Sequence, residues 1–257
     1  ITALRHTLHA IVQRHESLRT SFTQSQGQPF QRIHSDLTID FSIHDLTHLS
    51  ALEQGDQIAY QAAQEATTPF DLSCPPLARA RLIRLAPREH VFILNVHHIV
   101  TDGWSMRVLA TELAMFYMAA LQDEPVDLPP LSVQYADYAA WEREVMEQDE
   151  FQQQLKNWTS RLDRMPMLQL PFDKPRPTVM TYRGDRVVQP CSTDLSKSVR
   201  QFCAARGLTP QMLFLASFKS LLHRYTGQTD LVVGMPTANR TRPEIEPLIG
   251  FFVNTLA

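Results

Sequence analysis

The feature that most restricts the fold is the stretch from Val91 to Val96, apolar but for Asn95, which runs directly into the polar sequence HHIVTDGWS. A run this short and this apolar reads as a strand covered on both faces, in the middle of a sheet. LARARLIRL, residues 77–85, supplies the other arm of a hairpin, with the turn at Pro87, Arg88 and Glu89. Beyond the polar sequence, Trp104 to Leu121 has the pattern of a long helix. Strand ends that lead through a polar loop into a helix are where α/β folds place reactive groups.

The rest of the chain fits the same plan. Leu4, Leu8, Ile11 and Val12 fall at helical spacing, giving an amphipathic first helix. LRTSF and PFQRIH read as two short strands around Gln26-Gly27, and Ile39, Phe41 and Ile43 alternate as in a third. Residues 48–66 have helical composition and Pro69 ends that helix. Further helices are expected over 132–146, 150–162, 194–206 and 209–225, the last with Pro210 in its first turn. Strands are expected at 185–189, at 230–236 and in the apolar terminal segment. Pro171, Pro175 and Pro177 mark an extended linker over 171–178. The predicted fold class is therefore α/β (α+β): a helix-covered sheet in two lobes, residues 1–170 and 179–257, joined by that linker.

Composition removes several function classes. Apolar residues make up 44% of the 257 and charged residues 20%, enough to bury a core. A formal charge of −3 lacks the basic footprint that nucleic acid demands. The three cysteines, Cys74, Cys191 and Cys203, are too irregularly spaced for a disulfide framework or a metal knuckle, so reduced thiols in a cytoplasmic protein are expected. No apolar stretch approaches the roughly 20 residues that span a bilayer, so no membrane partner is expected. Neither a GxGxxG nor a GK[ST] sequence is present to cradle phosphates. The start at Ile1 and the abrupt apolar end at Ala257 read as cuts in a longer chain.

Within HHIVTDGWS, adjacent histidines on a strand face opposite sides, so His97 and His98 are not expected to serve one site together. One faces a cavity and the other is held in packing by its ring hydrogen bonds. A histidine at the end of an apolar strand is more often a satisfied structural residue than a catalyst. Divergent rings without an obvious third ligand argue against a metal at His97, His98 and Asp102. Asp102-Gly103 taken alone is an ordinary helix entry.

Four motifs lift the segment above these readings. HHIVTDGWS resembles the His-His-x-x-x-Asp-Gly core of nonribosomal peptide synthetase condensation domains. RHESLRTSF (14–22), YADYAAWERE (135–144) and IGFFVNTLA (249–257) are similar to that family's second, fourth and fifth motifs, in the family's order. The family's first motif, Ser-x-x-Gln-x-Arg, is not found, and neither is anything beyond the fifth.

The resemblance implies a chloramphenicol acetyltransferase-like, two-lobed sandwich with a tunnel between the lobes, the second lobe incomplete here. It implies an acyltransferase that joins a carrier-bound acyl thioester to a carrier-bound amine. Both substrates ride on 4'-phosphopantetheine arms, and no cofactor belongs to the domain itself. Implied partners are upstream and downstream carrier domains and an adjacent adenylation domain. His98 is implied as the catalytic group, either taking a proton or positioning the amine, since an imidazole of pKa about 6.5 suits both. His97 becomes structural. Asp102 is expected to pair with an arginine, Arg19 first and Arg240 second, and breaking a buried pair from one side costs about 3–5 kcal/mol. Gly103 permits close approach of the arm or intermediate, with Trp104, Ser105 and Asn254 near the tunnel. Asn254 and Thr255 are expected to make buried hydrogen bonds. Tyr135, Tyr138 and Trp141 read as core, and the remaining histidines as mostly exposed.

The lettering of these motifs leans toward an L-configured donor and acceptor. Related chemistries stay open: an epimerisation domain, an ester-forming relative or a coenzyme A-dependent acyltransferase. So does a non-catalytic docking module. With the second lobe stopping partway, the chain alone is expected to be poorly stable.

Overall fold

The computed structural model describes residues 1–181 and 184–257, which fall into two compact units. The first holds Ile1–Gln153 with Pro236–Leu256, and the second holds Gln154–Met235 with Ala257. The segment carrying IGFFVNTL, expected from sequence in the second lobe, thus packs with the first 153 residues.

In the first unit, α1 (Thr2–Arg14) buries Leu4, Leu8, Ile11 and Val12, the stripe its periodicity predicts. A 3-10 turn, Glu16–Arg19, leads into β1 (Thr20–Ser25), which pairs antiparallel with β2 (Gln28–Ile33). Gln26 and Gly27 between them have φ of 50° and 79°, the left-handed pair that a two-residue hairpin matched to strand twist requires. Next, β3 (Asp40–Asp45) lies parallel to β4 (Ala78–Ala86). Parallel neighbours need a crossover, here α2 (Ala51–Thr67), started by a capping box between Ser50 and Glu53. β4 then turns back into β5 (Glu89–Val96), pairing Ala80 with Leu94 and Leu82 with Phe92.

The sheet order is β3-β4-β5, so β4 is the central strand and, among the described residues, β5 has a neighbour on one side only. This corrects the expectation that the apolar strand is central. Phe92, Leu94 and Val96 pack on the main core, while Asn95 reaches the Glu65 carbonyl of α2 at 2.6 Å. Apolarity reports covered faces; it says nothing about how many sides of the ladder are paired.

α3 (Gly103–Gln122) packs against α1, and α4 (Tyr135–Glu147) closes a smaller cluster of Tyr138, Ile245, Leu248 and Phe252. Tyr135 and Trp141 pack against that cluster. The unit ends in β6 (Met235–Thr237) and β7 (Asn254–Leu256), which pair, although Met235 itself falls in the second unit.

The second unit contains most of α5 (Asp149–Leu162), then α6 (Thr193–Arg206) and α7 (Pro210–Thr226). Gly207 and Gly227 end α6 and α7 at φ of 62° and 72°. No strand forms over 185–189, where Val187 and Val188 are exposed, and of the strand expected at 230–236 only Met235 and Pro236 are in β6. Strand preference is contextual: without a neighbour to take its N–H and C=O groups, an apolar segment stays extended and unpaired. Among the described residues, no helix is long and apolar enough to cross a membrane.

Candidate active site

β5 stops at Val96, immediately before the histidine pair. His97 is extended and caps a 3-10 turn, His98–Val100, its Nδ1 accepting the Ile99 N–H at 3.0 Å. The two histidines therefore do not alternate across a sheet, which replaces the geometric reason given by sequence. Their rings still part company. His97 meets Phe70 edge-on at 5.8 Å, while His98 meets Phe251 at 5.2 Å and 83°. His97 is half-buried; burial, then the neighbouring His98, pulls its pKa down. His98 is exposed, and among the described residues neither of its ring nitrogens has a hydrogen-bond partner.

Four residues on, conditions reverse. Asp102 caps α3, accepting the Ser105 N–H at 2.7 Å on Oδ1. Its Oδ2 accepts the Phe252 N–H at 3.0 Å, and its Oδ1 lies 3.4 Å from Nη2 of Arg240. The two side chains are 2% and 1% exposed, which makes this a buried ion pair. Burial alone would raise the Asp102 pKa. The Ser105 amide and hydroxyl, the Phe252 amide and Arg240 outweigh it and hold the carboxyl below its ordinary value. Arg240 also donates to the Ile245, Glu246 and Leu248 carbonyls and to Ser105 Oγ, and lies over the Phe252 ring.

Arg240, ranked second from sequence, is thus the partner of Asp102, and the expectation for Arg19 is corrected. The Arg19 guanidinium instead donates to the His34 carbonyl at 2.6 Å and to Glu16 at 3.3 Å, tying the end of β2 to the turn before β1. Its position at the root of the β1–β2 hairpin puts those acceptors within reach first.

The segment Ile249–Phe252 is held almost entirely by side chains. Ser17 donates to the Ile249 carbonyl at 2.6 Å, and the Ile249 N–H points to Nδ1 of His15 at 3.3 Å. Ser105 Oγ both donates to the Gly250 carbonyl, at 2.8 Å, and accepts the Gly250 N–H, at 3.1 Å. Tyr135 donates its hydroxyl to the Phe251 carbonyl at 2.8 Å, and Asp102 takes the Phe252 amide. Burial, with Glu142 and Asp102 nearby, raises the Tyr135 pKa to about 12, so it remains a donor. A Cβ on Gly250 would overlap Cδ2 of the Tyr135 ring, which explains a glycine there.

The other expected residues separate. Gly103 opens α3, exposed, with nothing within 4 Å of where a Cβ would sit, so the fold itself does not demand a glycine. Trp104 is half-buried and donates to the Glu246 carbonyl at 2.9 Å. Ser105 is fully buried in the clamp rather than lining an open surface. Asn254 and Thr255 are exposed, contrary to the expected buried role, and Asn254 Oδ1 accepts the neighbouring Thr255 N–H at 2.8 Å. Two residues that hold this segment, Ser17 and His15, were missed, as was Glu112, which backs His15. His15 is 1% exposed and its Nε2 lies 2.7 Å from Glu112, which Arg14 also meets at 3.1 Å. His15 and Ser17 sit inside RHESLRTSF, which was the available signal; Glu112, inside a long helix, carried none. Among the described residues, no cluster of three or more His, Cys, Asp or Glu could hold a metal ion.

An exposed histidine, and four residues on a buried carboxylate locked to a distant segment, make the local picture, and the whole chain extends it: the family model described as "Condensation domain" matches residues 1–257. The chain belongs to the condensation-domain family. It is 41% identical over 255 residues to tyrocidine synthase 3 of Brevibacillus parabrevis, covering 99% of this chain and 4% of that protein. It is 40% identical over 256 residues to phosphinothricin tripeptide synthetase PhsC of Streptomyces viridochromogenes, covering 99% of this chain and 24% of that protein. Among solved structures, the X-domain in complex with OxyB from teicoplanin biosynthesis superposes with a TM-score of 0.87 at 27% identity, over 99% of this chain and 56% of that one. This condensation domain chain therefore spans a small part of its curated relatives and just over half of the solved chain.

Proposed function

We propose that the chain is part of an amide-forming condensation domain of a nonribosomal peptide synthetase, with His98 as its catalytic residue. The observation that carries this is the contrast within one loop: Asp102 is saturated with partners, while the His98 ring is exposed with both nitrogens uncommitted. A ring in that state can bind an incoming amine.

In the proposed reaction, a neutral amine attacks the carbonyl carbon of an acyl thioester. A C–N bond forms, the C–S bond breaks, and the amine proton passes by way of His98 to the departing thiolate. Products are an amide and a free thiol. A thioester is already activated, so bringing the two groups together supplies much of the rate. The thiol and the amine are each presented on a 4'-phosphopantetheine arm of a carrier domain, with an adenylation domain as a further partner and the cytoplasm as the setting. His97, Asp102 and Arg240 keep the loop in shape and do not touch the reacting atoms. Gly103, exposed at the start of α3, leaves room for the arm, with Trp104 next to it in the chain. The lobe division at 171–178 belongs to this proposal as well.

The likeness to an X-domain solved with OxyB favours a second reading, a docking module that recruits another protein without chemistry. Reconstitution of the full-length polypeptide with two loaded carrier domains, scored by mass spectrometry for peptide transfer, separates the two. Loss of transfer in His98→Ala, with the fold verified, supports the enzymatic reading. Transfer at the unchanged rate overturns it in favour of docking.

A further inference from the structure

A histidine that handles protons needs its ring held, and a carboxylate or carbonyl on the second nitrogen is the usual means. Nothing of that kind reaches His98 among the described residues. Its ring contact is Phe251, edge-to-face at 5.2 Å and 83°. Phe251 is 40% exposed, so burial of its own ring does not account for its place.

What does account for it is the chain on either side. The backbone groups from Ile249 to Phe252 are met by His15, Ser17, Ser105, Tyr135 and Asp102, all from the first unit. The Tyr135 hydroxyl fixes the carbonyl of Phe251 itself, and the Asp102 carboxylate fixes the next amide. A backbone pinned residue by residue presents the side chain of Phe251 from a rigid base. Edge-to-face aromatic pairs have a preferred geometry, so a fixed phenyl ring favours one imidazole orientation over another.

We infer that Phe251 is a positioning residue that sets the orientation of the His98 imidazole, with the Ile249–Phe252 clamp as its mount. This rests on His98 being the catalytic group. It also gives the buried Asp102–Arg240 pair a purpose beyond stability. The carboxylate orders the histidine at one remove, through the backbone of Phe252 and the ring of Phe251, rather than by touching it.

The test uses the full-length polypeptide with loaded carrier domains and compares Phe251→Ala, Phe251→Leu and Phe251→Tyr with His98→Ala. Phe251→Ala is expected to lower kcat on the order of tenfold with KM changed less than about twofold, because ring orientation governs the chemical step rather than binding. Phe251→Leu should resemble it, since bulk without an aromatic ring cannot reproduce the contact. Phe251→Tyr should restore most of the rate. If Phe251→Ala fails to fold, the Leu and Tyr pair carries the comparison. Unchanged kcat in Phe251→Ala or Phe251→Leu, or an effect confined to KM or to substrate choice, overturns the inference while leaving His98 in place. Undiminished transfer in His98→Ala overturns the underlying reading instead.

Discussion

Asp102 and His98 lie four residues apart in one loop and live in opposite physical conditions. Asp102 is 3% exposed, ion-paired and hydrogen-bonded on both oxygens; His98 is exposed and touches one aromatic ring. The difference separates two jobs that a motif read as letters runs together. A buried charge satisfied on every side holds structure, because removing any partner leaves a desolvated group unpaired. An exposed imidazole with free nitrogens contributes little to folding and is available to a substrate.

The most severe test of this contrast is Asp102→Ala. It should cost about 3–5 kcal/mol of stability, since Arg240 and the Phe252 amide lose their partner, and activity should vanish with the fold. A denaturation midpoint equal to wild type would contradict the structural assignment. His98→Ala should do the reverse, lowering the transfer rate by about 10²–10⁴-fold while stability stays within about 0.5 kcal/mol. Rate and melting curve measured on the same preparation check both halves.

Gly250→Ala probes the mount between them. Its Cβ would overlap the Tyr135 ring, and the strain should cost about 1–3 kcal/mol by chemical denaturation. A neutral result would show that Ile249–Phe252 is less tightly held than its hydrogen bonds indicate.

The mildest effects are expected on acidification, and two signs must be kept apart. His97 titrates lower in the fold than in the unfolded chain, where its pKa is about 6.5, so the unfolded state takes up its proton first. Stability should therefore begin to decline as pH falls below about 6.5, and His97→Gln should flatten that first slope. Asp102 is also depressed, so its contribution is present above its unfolded pKa of about 3.9 and is lost only as pH falls through its lower folded value. Unfolding midpoints recorded from pH 7 down to pH 3 resolve the two windows. A midpoint that rises from pH 6.5 to pH 5 would contradict the His97 assignment.

Much of the fold was legible in the chain. Leu4, Leu8, Ile11 and Val12 announced α1, Gln26-Gly27 announced the first hairpin, and Pro210 opened α7, because each signal lies within one turn of the element it sets. The strand expected at 185–189 failed for the complementary reason, since a strand exists only when a distant partner accepts its hydrogen bonds. The same distance defeated the choice of arginine. Arg19 and Arg240 each lie in a polar segment, and only the folded path of the chain brings one of them across 138 positions to Asp102.

The order of residues along the chain was enough to place most helices and the hairpins and to say which of their faces are apolar. Those properties follow from neighbour spacing, from 3.6- and 2-residue periods and from the few residues that start or stop a helix. It took the folded arrangement to establish that β5 lies beside β4 rather than between two strands, that Arg240 neutralises Asp102, and that Phe251 stands against His98. These are pairings between groups remote along the chain, set by burial and by which polar atoms remain to be satisfied once the core has closed.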